Sequence, residues 1–129
     1  MIARDVMTRD IITVSPSLKI KDLAMILTRN QISGAPVVDK QGKIVGIVSE
    51  ADIIAKRGKE TKAIMSKKVI TVPLDASVEE IARLMAAHAI TRLPVIDNGK
   101  IIGIVSRADI VQAIAMGEHT AIHAPVYDL

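Results

Sequence analysis

The chain of 129 residues contains no cysteine, and Tyr127 is its only aromatic residue. Without cysteine it can form no disulfide framework and carries no thiol for catalysis or metal binding. The near absence of aromatic rings also removes the stacking platforms on which proteins commonly hold single-stranded nucleic acid. Because 50% of the residues are nevertheless hydrophobic, the core must be built from aliphatic side chains and methionine.

Long apolar runs and strong net charge are also missing. No uninterrupted apolar stretch approaches the roughly 20 residues that span a membrane, and the first residues lack the apolar run of a signal peptide. The formal charge of +3 is only mildly basic and does not by itself indicate a nucleic-acid partner. We therefore expect a cytoplasmic protein that makes no membrane contact, and the absence of cysteine fits that reducing compartment.

The usual signatures of catalysis are not found either. The sequence shows no Ser–His–Asp arrangement, no pair of carboxylates beside a nucleophile and no glycine-rich phosphate loop. We therefore expect no enzymatic activity, no cofactor and no resident metal.

What the sequence does contain is an internal repeat with a spacing of 58 residues. Residues 12–14 (ITV) return as residues 70–72 (ITV), and residues 36–39 (PVVD) return as residues 94–97 (PVID). The spacing then falls to 57, because the turn that follows is one residue shorter in the second copy, and turns tolerate such deletions. We divide the chain into a first unit (1–58), a linker (59–63), a second unit (64–116) and a tail (117–129).

Each unit has the pattern strand, helix, strand, strand, helix, as β-branched runs alternate with stretches of helical periodicity. Asn98-Gly99 between two β-branched runs is a strong hairpin signal. The expected strands are 11–14, 35–38 and 44–48, then 69–72, 93–96 and 101–105; the expected helices are 19–30 and 50–56, then 78–89 and 107–116. The predicted fold is α/β (α+β), with two β-α-β-β-α units packed sheet-to-sheet about a pseudo-twofold axis.

One motif is repeated almost unchanged, as residues 46–53 (GIVSEADI) and residues 103–110 (GIVSRADI). Each copy reads as a buried strand that enters a helix through a serine, with an aspartate in the first helical turn. A carboxylate beside the N–H groups of a helix start can hold a hydroxylated, anionic small molecule. The alternative is a capping box that stabilises the helix start with nothing bound.

The ordered series of motifs, present twice, resembles a tandem pair of cystathionine-β-synthase-type (CBS) domains, often called a Bateman module. The resemblance covers nearly the whole chain. It is carried in the first copy by residues 5–8, 12–14, 34–39 and 46–53, and in the second by residues 64–66, 70–72, 92–97 and 103–110. It implies a regulatory, non-catalytic module that binds an adenine nucleotide or related adenosyl ligand, such as AMP, ADP, ATP or S-adenosylmethionine.

The resemblance also implies roles for individual residues. The motif aspartate takes the ribose hydroxyls with the serine beside it, a threonine of the first strand neighbours adenine and ribose, and an Ala-Pro or Leu-Pro pair forms the adenine slot. Arg92 stands where related modules place a phosphate ligand, whereas the matching first-copy residue is glycine, preceded by Ser33. The implied ligand-binding residues are Thr13, Ser33, Ala35, Pro36, Ser49, Asp52, Thr71, Arg92, Leu93, Pro94, Ser106 and Asp109.

The expected partners are a second copy of the chain, in a homodimer, and an effector protein of unknown identity. Two other functions stay open: a dimerisation scaffold without ligand, and a nucleic-acid-binding accessory protein that uses the basic linker. The linker region is rich in cations, which are Lys56, Arg57, Lys59, Lys62, Lys67 and Lys68.

Overall fold

The repeat seen in the sequence is also a repeat of structure along residues 1–118, the part of the chain that the computed structural model describes. Most of the predicted tail, residues 119–129, lies outside the described residues. The helices are α1 (Ala3–Val6), α2 (Ile20–Arg29), α3 (Glu50–Ala55), α4 (Thr61–Ile64), α5 (Val78–His88) and α6 (Arg107–Ala113), which continues into a π-helical turn (Ile114–Glu118). The strands are β1 (Gly34–Val38), β2 (Ile44–Ser49), β3 (Val72–Pro73), β4 (Arg92–Asp97) and β5 (Lys100–Ser106).

An antiparallel hairpin is the centre of each unit, with β1 paired to β2 and β4 paired to β5. The second hairpin closes through Asn98 and Gly99 at φ values of 51° and 78°. Positive φ at both central residues is the signature of the type I′ turn, so the hairpin predicted from Asn98-Gly99 is confirmed.

The first strand of each unit is shorter than predicted. Within the described residues, the predicted strand 11–14 is reduced to a single bridge, in which the Val14 N–H donates to the Pro36 carbonyl at 3.0 Å. Its counterpart is only β3, which runs parallel to β4. Before these points the chain is bridged to the other unit, Thr8 to Ile104 and Ser66 to Ile47, so each segment reaches its own hairpin only at Val14 or Val72. Proline, which has no N–H for a sheet ladder, then limits the other end: Pro73 ends β3, and Pro16 follows Val14 by two residues.

Each hairpin packs on its own long helix to form an aliphatic core. In the first unit Leu23 and Leu27 of α2 lie against Val37 and Val48, and all four are at most 2% exposed. In the second unit Ile81 of α5 takes the same position against its hairpin. The helical periodicity in the sequence therefore identifies the buried face correctly.

The segment that precedes the first strand of each unit, here called its lead-in, packs on the other unit. It contains α1 in the first unit and α4 in the second. The Ala3 N–H in α1 donates to the Ala76 carbonyl at 2.8 Å, and Thr8 bridges to Ile104 of β5. By the repeat, α4 makes the matching contact: the Thr61 N–H donates to the Leu18 carbonyl at 2.8 Å. Thr61 is fully buried, so the predicted linker 59–63 contributes to the packing of the first unit.

Glycines in the two hairpins make this crossing possible. A Cβ at Gly103 would lie 2.6 Å from the Met7 sulfur, and one at Gly46 would lie 2.6 Å from the Met65 sulfur. A Cβ would also lie 2.9 Å from the Ser66 carbonyl oxygen at Gly46 and 3.0 Å from the Thr8 carbonyl oxygen at Gly103, so glycine gives the lead-in the room to cross the strand. This explains why the repeated motif begins with glycine.

Left-handed residues that are not glycine follow both long helices. Ala89 caps α5 with φ 53° and ψ 42°, and Gln31 stands at the matching position after α2 with φ 54°. A residue with a Cβ loses about 1–2 kcal/mol in this conformation. The two helix ends are therefore strained at equivalent places.

We expect Ala89→Gly to raise the free energy of unfolding by about 0.5–1 kcal/mol, because the relief of strain exceeds the extra entropy that glycine gives the unfolded chain. Ala86→Gly, an exposed position inside the same helix, is the matched control and should lower it by about 1 kcal/mol. Urea unfolding followed by circular dichroism measures both. A loss of stability in Ala89→Gly would contradict the left-handed assignment.

Candidate functional site

The repeated strand-to-helix motif forms a complete capping box in the first unit. Ser49 has extended backbone, and its hydroxyl oxygen accepts the Asp52 N–H at 3.2 Å. The carboxylate oxygen Oδ2 of Asp52 in turn accepts the Ser49 N–H at 2.9 Å and the Ser49 hydroxyl at 3.1 Å. The interpretation of Ser49 and Asp52 as a helix cap is therefore right in geometry.

The second unit builds the same box with Ser106 and Asp109. The Asp109 N–H donates to the Ser106 hydroxyl oxygen at 3.1 Å, and the Ser106 N–H donates to Asp109 Oδ2 at 2.8 Å. Each box uses Oδ2 of its aspartate and leaves Oδ1 for another partner. One aspartate can thus cap the helix and bind a ligand at the same time, because the two interactions use different oxygens of its carboxylate.

A backbone bond fixes the position of each junction relative to its hairpin. The Glu50 N–H donates to the Ser33 carbonyl at 2.8 Å, and the Arg107 N–H donates to the Thr91 carbonyl at 2.7 Å. Each bond ties the start of the closing helix to the residue that precedes the hairpin. The carboxylates are therefore held on rigid elements.

The two carboxylates differ in what their second oxygen contacts. Asp52 Oδ1 lies 2.9 Å from the Lys56 ammonium, which also donates to the Ile64 carbonyl at 3.2 Å. The residue that corresponds to Lys56 in the second unit is Ala113, and it is buried. Within residues 1–118, Oδ1 of Asp109 makes no ion pair or hydrogen bond.

A cavity of about 280 Å³ opens beside Asp109 and is lined by both units. One wall comes from the first unit and its lead-in, and the other from β5 and the start of α6. It is lined by Thr8, Asp10, Ile11, Ile12, Ile32, Gly34, Pro36, Arg92, Ile104, Ser106 and Asp109. Four isoleucines and a proline line it together with polar groups, and a mixture of apolar walls and a few polar groups is the usual make-up of a small-molecule site.

A second cavity, of about 200 Å³, lies between the two hairpins. It shares Gly34, Pro36, Arg92 and Ile104 with the first, so the two adjoin. It is lined by Ser33, Gly34, Ala35, Pro36, Ile47, Val48, Ser49, Arg92, Leu93, Pro94 and Ile104. The interface between the two units, here called the seam, therefore contains two adjoining cavities.

Arg92 stands at the meeting point of the two cavities. Its side chain is exposed and forms no ion pair or hydrogen bond with the part of the chain that the structure describes. A guanidinium without a protein partner can bind a phosphate or carboxylate in a bidentate manner. The cavities thus combine an apolar slot, a carboxylate oxygen and a cation.

Most of the predicted site residues line one of these two cavities. Thr13, Asp52 and Thr71 line neither. The residues of the seam that the sequence did not reveal come mainly from the first lead-in, chiefly Thr8 and Asp10. No sequence signal identifies them, because their position depends on the crossing of the lead-ins.

Residues 1–118 also bear on the metal, membrane and nucleic-acid alternatives. No group of three or more potential metal ligands is found there, and none of the helices has the length and apolarity to span a bilayer. The basic linker contributes Lys59 and Lys62 to a surface depression with Lys19 and Lys21, and Lys62 pairs with Glu60 at 3.3 Å.

The family model for the CBS domain matches this chain twice, over residues 3–59 and residues 62–116. Among characterised relatives, inosine-5'-monophosphate dehydrogenase from Methanocaldococcus jannaschii is 36% identical over 113 residues, which is 85% of this chain. The chain spans only 23% of the length of that enzyme, so the match does not carry the dehydrogenase activity with it.

Several solved structures of similar fold are complexes with adenosine compounds. CBSX2 in complex with AMP has a TM-score of 0.83 and 30% identity over 89% of this chain and 96% of that one. The CBS pair of MJ0100 with 5'-methylthioadenosine and S-adenosylmethionine has a TM-score of 0.79 and 32% identity, over 88% and 99%. The cytosolic domain of the Mg²⁺ channel MgtE with ATP has a TM-score of 0.77 and 32% identity, over 84% and 46%.

These matches confirm the resemblance seen in the sequence and the mixed α/β fold expected from it. Both units of the repeat are matched, and the structural relatives are themselves CBS pairs. The chain belongs to the CBS domain family and consists of a tandem pair of CBS domains.

Proposed function

We propose that the chain is a regulatory module that binds an adenosine-containing ligand in the cavity beside Asp109. The observation that carries this proposal is the second carboxylate oxygen of Asp109, which has no partner within residues 1–118, on a residue that lines a cavity shared by both units. A ribose offers two adjacent hydroxyls, and one carboxylate oxygen can accept from them in charge-assisted bonds. The AMP, ATP and S-adenosylmethionine complexes of related CBS pairs support the choice of ligand class.

Other residues that line the cavities would contact different parts of the ligand. Pro36 and Ile12 would flank the adenine, since an aliphatic slot can hold a flat base without aromatic stacking. Arg92 would pair with phosphate, which favours AMP, ADP or ATP over a ligand without phosphate. The roles of Thr13 and Thr71 rest on the family resemblance alone.

Binding between the two units would favour the conformation in which the seam is closed. A ligand shifts a conformational equilibrium by its difference in affinity for the two states. Because the cavity has walls from both units, a bound nucleotide contacts both and can select one arrangement. The effector protein that reads this change, and the cytoplasm as its location, are part of the proposal.

Asp109→Asn should weaken AMP binding by about 10- to 150-fold, the equivalent of about 1.5–3 kcal/mol for hydrogen bonds to a charged group. Asparagine keeps an oxygen for the helix cap, so the fold should survive. Isothermal titration calorimetry with AMP measures the effect, and Asp97→Asn, in the exposed hairpin, is the matched control. Wild-type protein that binds none of AMP, ADP, ATP and S-adenosylmethionine would instead support a scaffold without ligand.

We also propose that the module is a homodimer formed through its closing helices. Ile54 on α3 is 86% exposed and Val111 on α6 is 58% exposed, and they occupy equivalent positions in the repeat. Large aliphatic side chains at matched exposed positions are typical of a surface that another protein covers. An isologous pairing of two chains would cover both patches at once.

The double variant Ile54→Glu/Val111→Glu should convert the dimer into a monomer, because it would place four carboxylates in an apolar interface, where charge is costly to bury. Size-exclusion chromatography with light scattering gives the mass directly. Gln41→Glu, which adds a charge in a hairpin turn, should leave the dimer intact. A wild-type mass equal to that of one chain would contradict the proposal.

A further inference from the structure

The Lys56 side chain links α3 of the first unit to α4, the lead-in of the second unit. Its ammonium contacts Asp52 Oδ1 at 2.9 Å and the Ile64 carbonyl at 3.2 Å. Lys56 begins just after α3, whereas Ile64 ends α4, the lead-in of the second unit. The oxygen that would accept a ribose hydroxyl in the first unit is thus already in contact with a cation.

The two partners of this ion pair differ in burial. The Asp52 side chain is 16% exposed, and the Lys56 side chain is 48% exposed. The lysine therefore lies over a carboxylate that is largely withdrawn from water, where screening is weaker than at an open surface. A ligand that approaches that oxygen must compete with the ammonium, and Asp52, unlike Asp109, lines neither of the two cavities.

The second unit lacks this arrangement. Its residue at the position of Lys56 is Ala113, only 3% exposed, which has neither the charge nor the length to reach Asp109. The two capping boxes share their two backbone bonds at similar distances, and the first has in addition the bond from the Ser49 hydroxyl to Asp52 Oδ2. The repeat thus provides an internal comparison in which one residue differs at the second carboxylate oxygen.

We propose that Lys56 is an internal competitor of ribose at Asp52, so that the Asp109 site fills first and the Asp52 site binds more weakly. The inference rests on the proposed function, because it concerns the same class of ligand. A nucleotide at Asp52 must displace the ammonium from both Asp52 and the Ile64 carbonyl. Lys56 thereby sets the difference in affinity between the two sites.

The test isolates the weaker site by using Asp109→Asn as the background. Titration calorimetry with AMP compares Asp109→Asn with Asp109→Asn/Lys56→Met, since methionine keeps an apolar stem and removes the charge. We expect the second variant to bind AMP about three- to ten-fold more tightly, as removal of a partly exposed ion pair and one hydrogen bond would give. Lys59→Met in the same background removes an equal charge three residues away and should change nothing.

Each outcome of this experiment decides a separate question. Equal affinity in both variants, or binding in neither, would overturn the role of Lys56 while wild-type binding keeps the proposed function. Weaker binding after Lys56→Met would show that the lysine holds the ligand phosphate, which also overturns the proposal. If the wild-type protein itself binds no AMP, the proposed function fails first.

Discussion

The carboxylate of Asp109 is shared between a helix cap and the seam of the molecule. In both units one aspartate oxygen accepts the backbone N–H of the serine that begins the closing helix, at 2.8 Å in one unit and 2.9 Å in the other. This bond fixes the orientation of the carboxylate, and therefore also the position of its other oxygen. A preorganised acceptor costs little further ordering when a ligand binds.

The crossing of the lead-ins makes the seam a shared structure. Because Ala3 bonds to the second unit and Thr61 bonds to the first, each core is completed by a segment from the other half. The same crossing brings Thr8 beside Asp109, across from Pro36 of the first hairpin. A ligand in this cavity therefore touches residues from both copies, which is the physical basis for regulation by binding.

The sequence predicts the repeat, the hairpins, the long helices and the capping residues, because these depend on local periodicity and turn chemistry. It overestimates the first strands, because the lead-ins pair with the other unit and only the last residue of each predicted strand pairs with its own hairpin. It does not reveal the exchange of the lead-ins, since the contact of Met7 with Gly103 is a long-range packing event. It also assigns Asp52 and Asp109 equal roles, whereas a lysine one helical turn away from Asp52 makes them unequal.

The most direct test of the account is a nuclear magnetic resonance titration of ¹⁵N-labelled protein with AMP. We expect the backbone amide signals of Ser106 and Asp109 to move at the lowest AMP concentrations, with those of Thr8 and Gly34 across the cavity. The amides of Ser49 and Asp52 should respond only at higher concentrations. Shifts confined to the outer helical faces, or no shifts at saturating AMP, would contradict the central claim that the seam beside Asp109 binds the nucleotide.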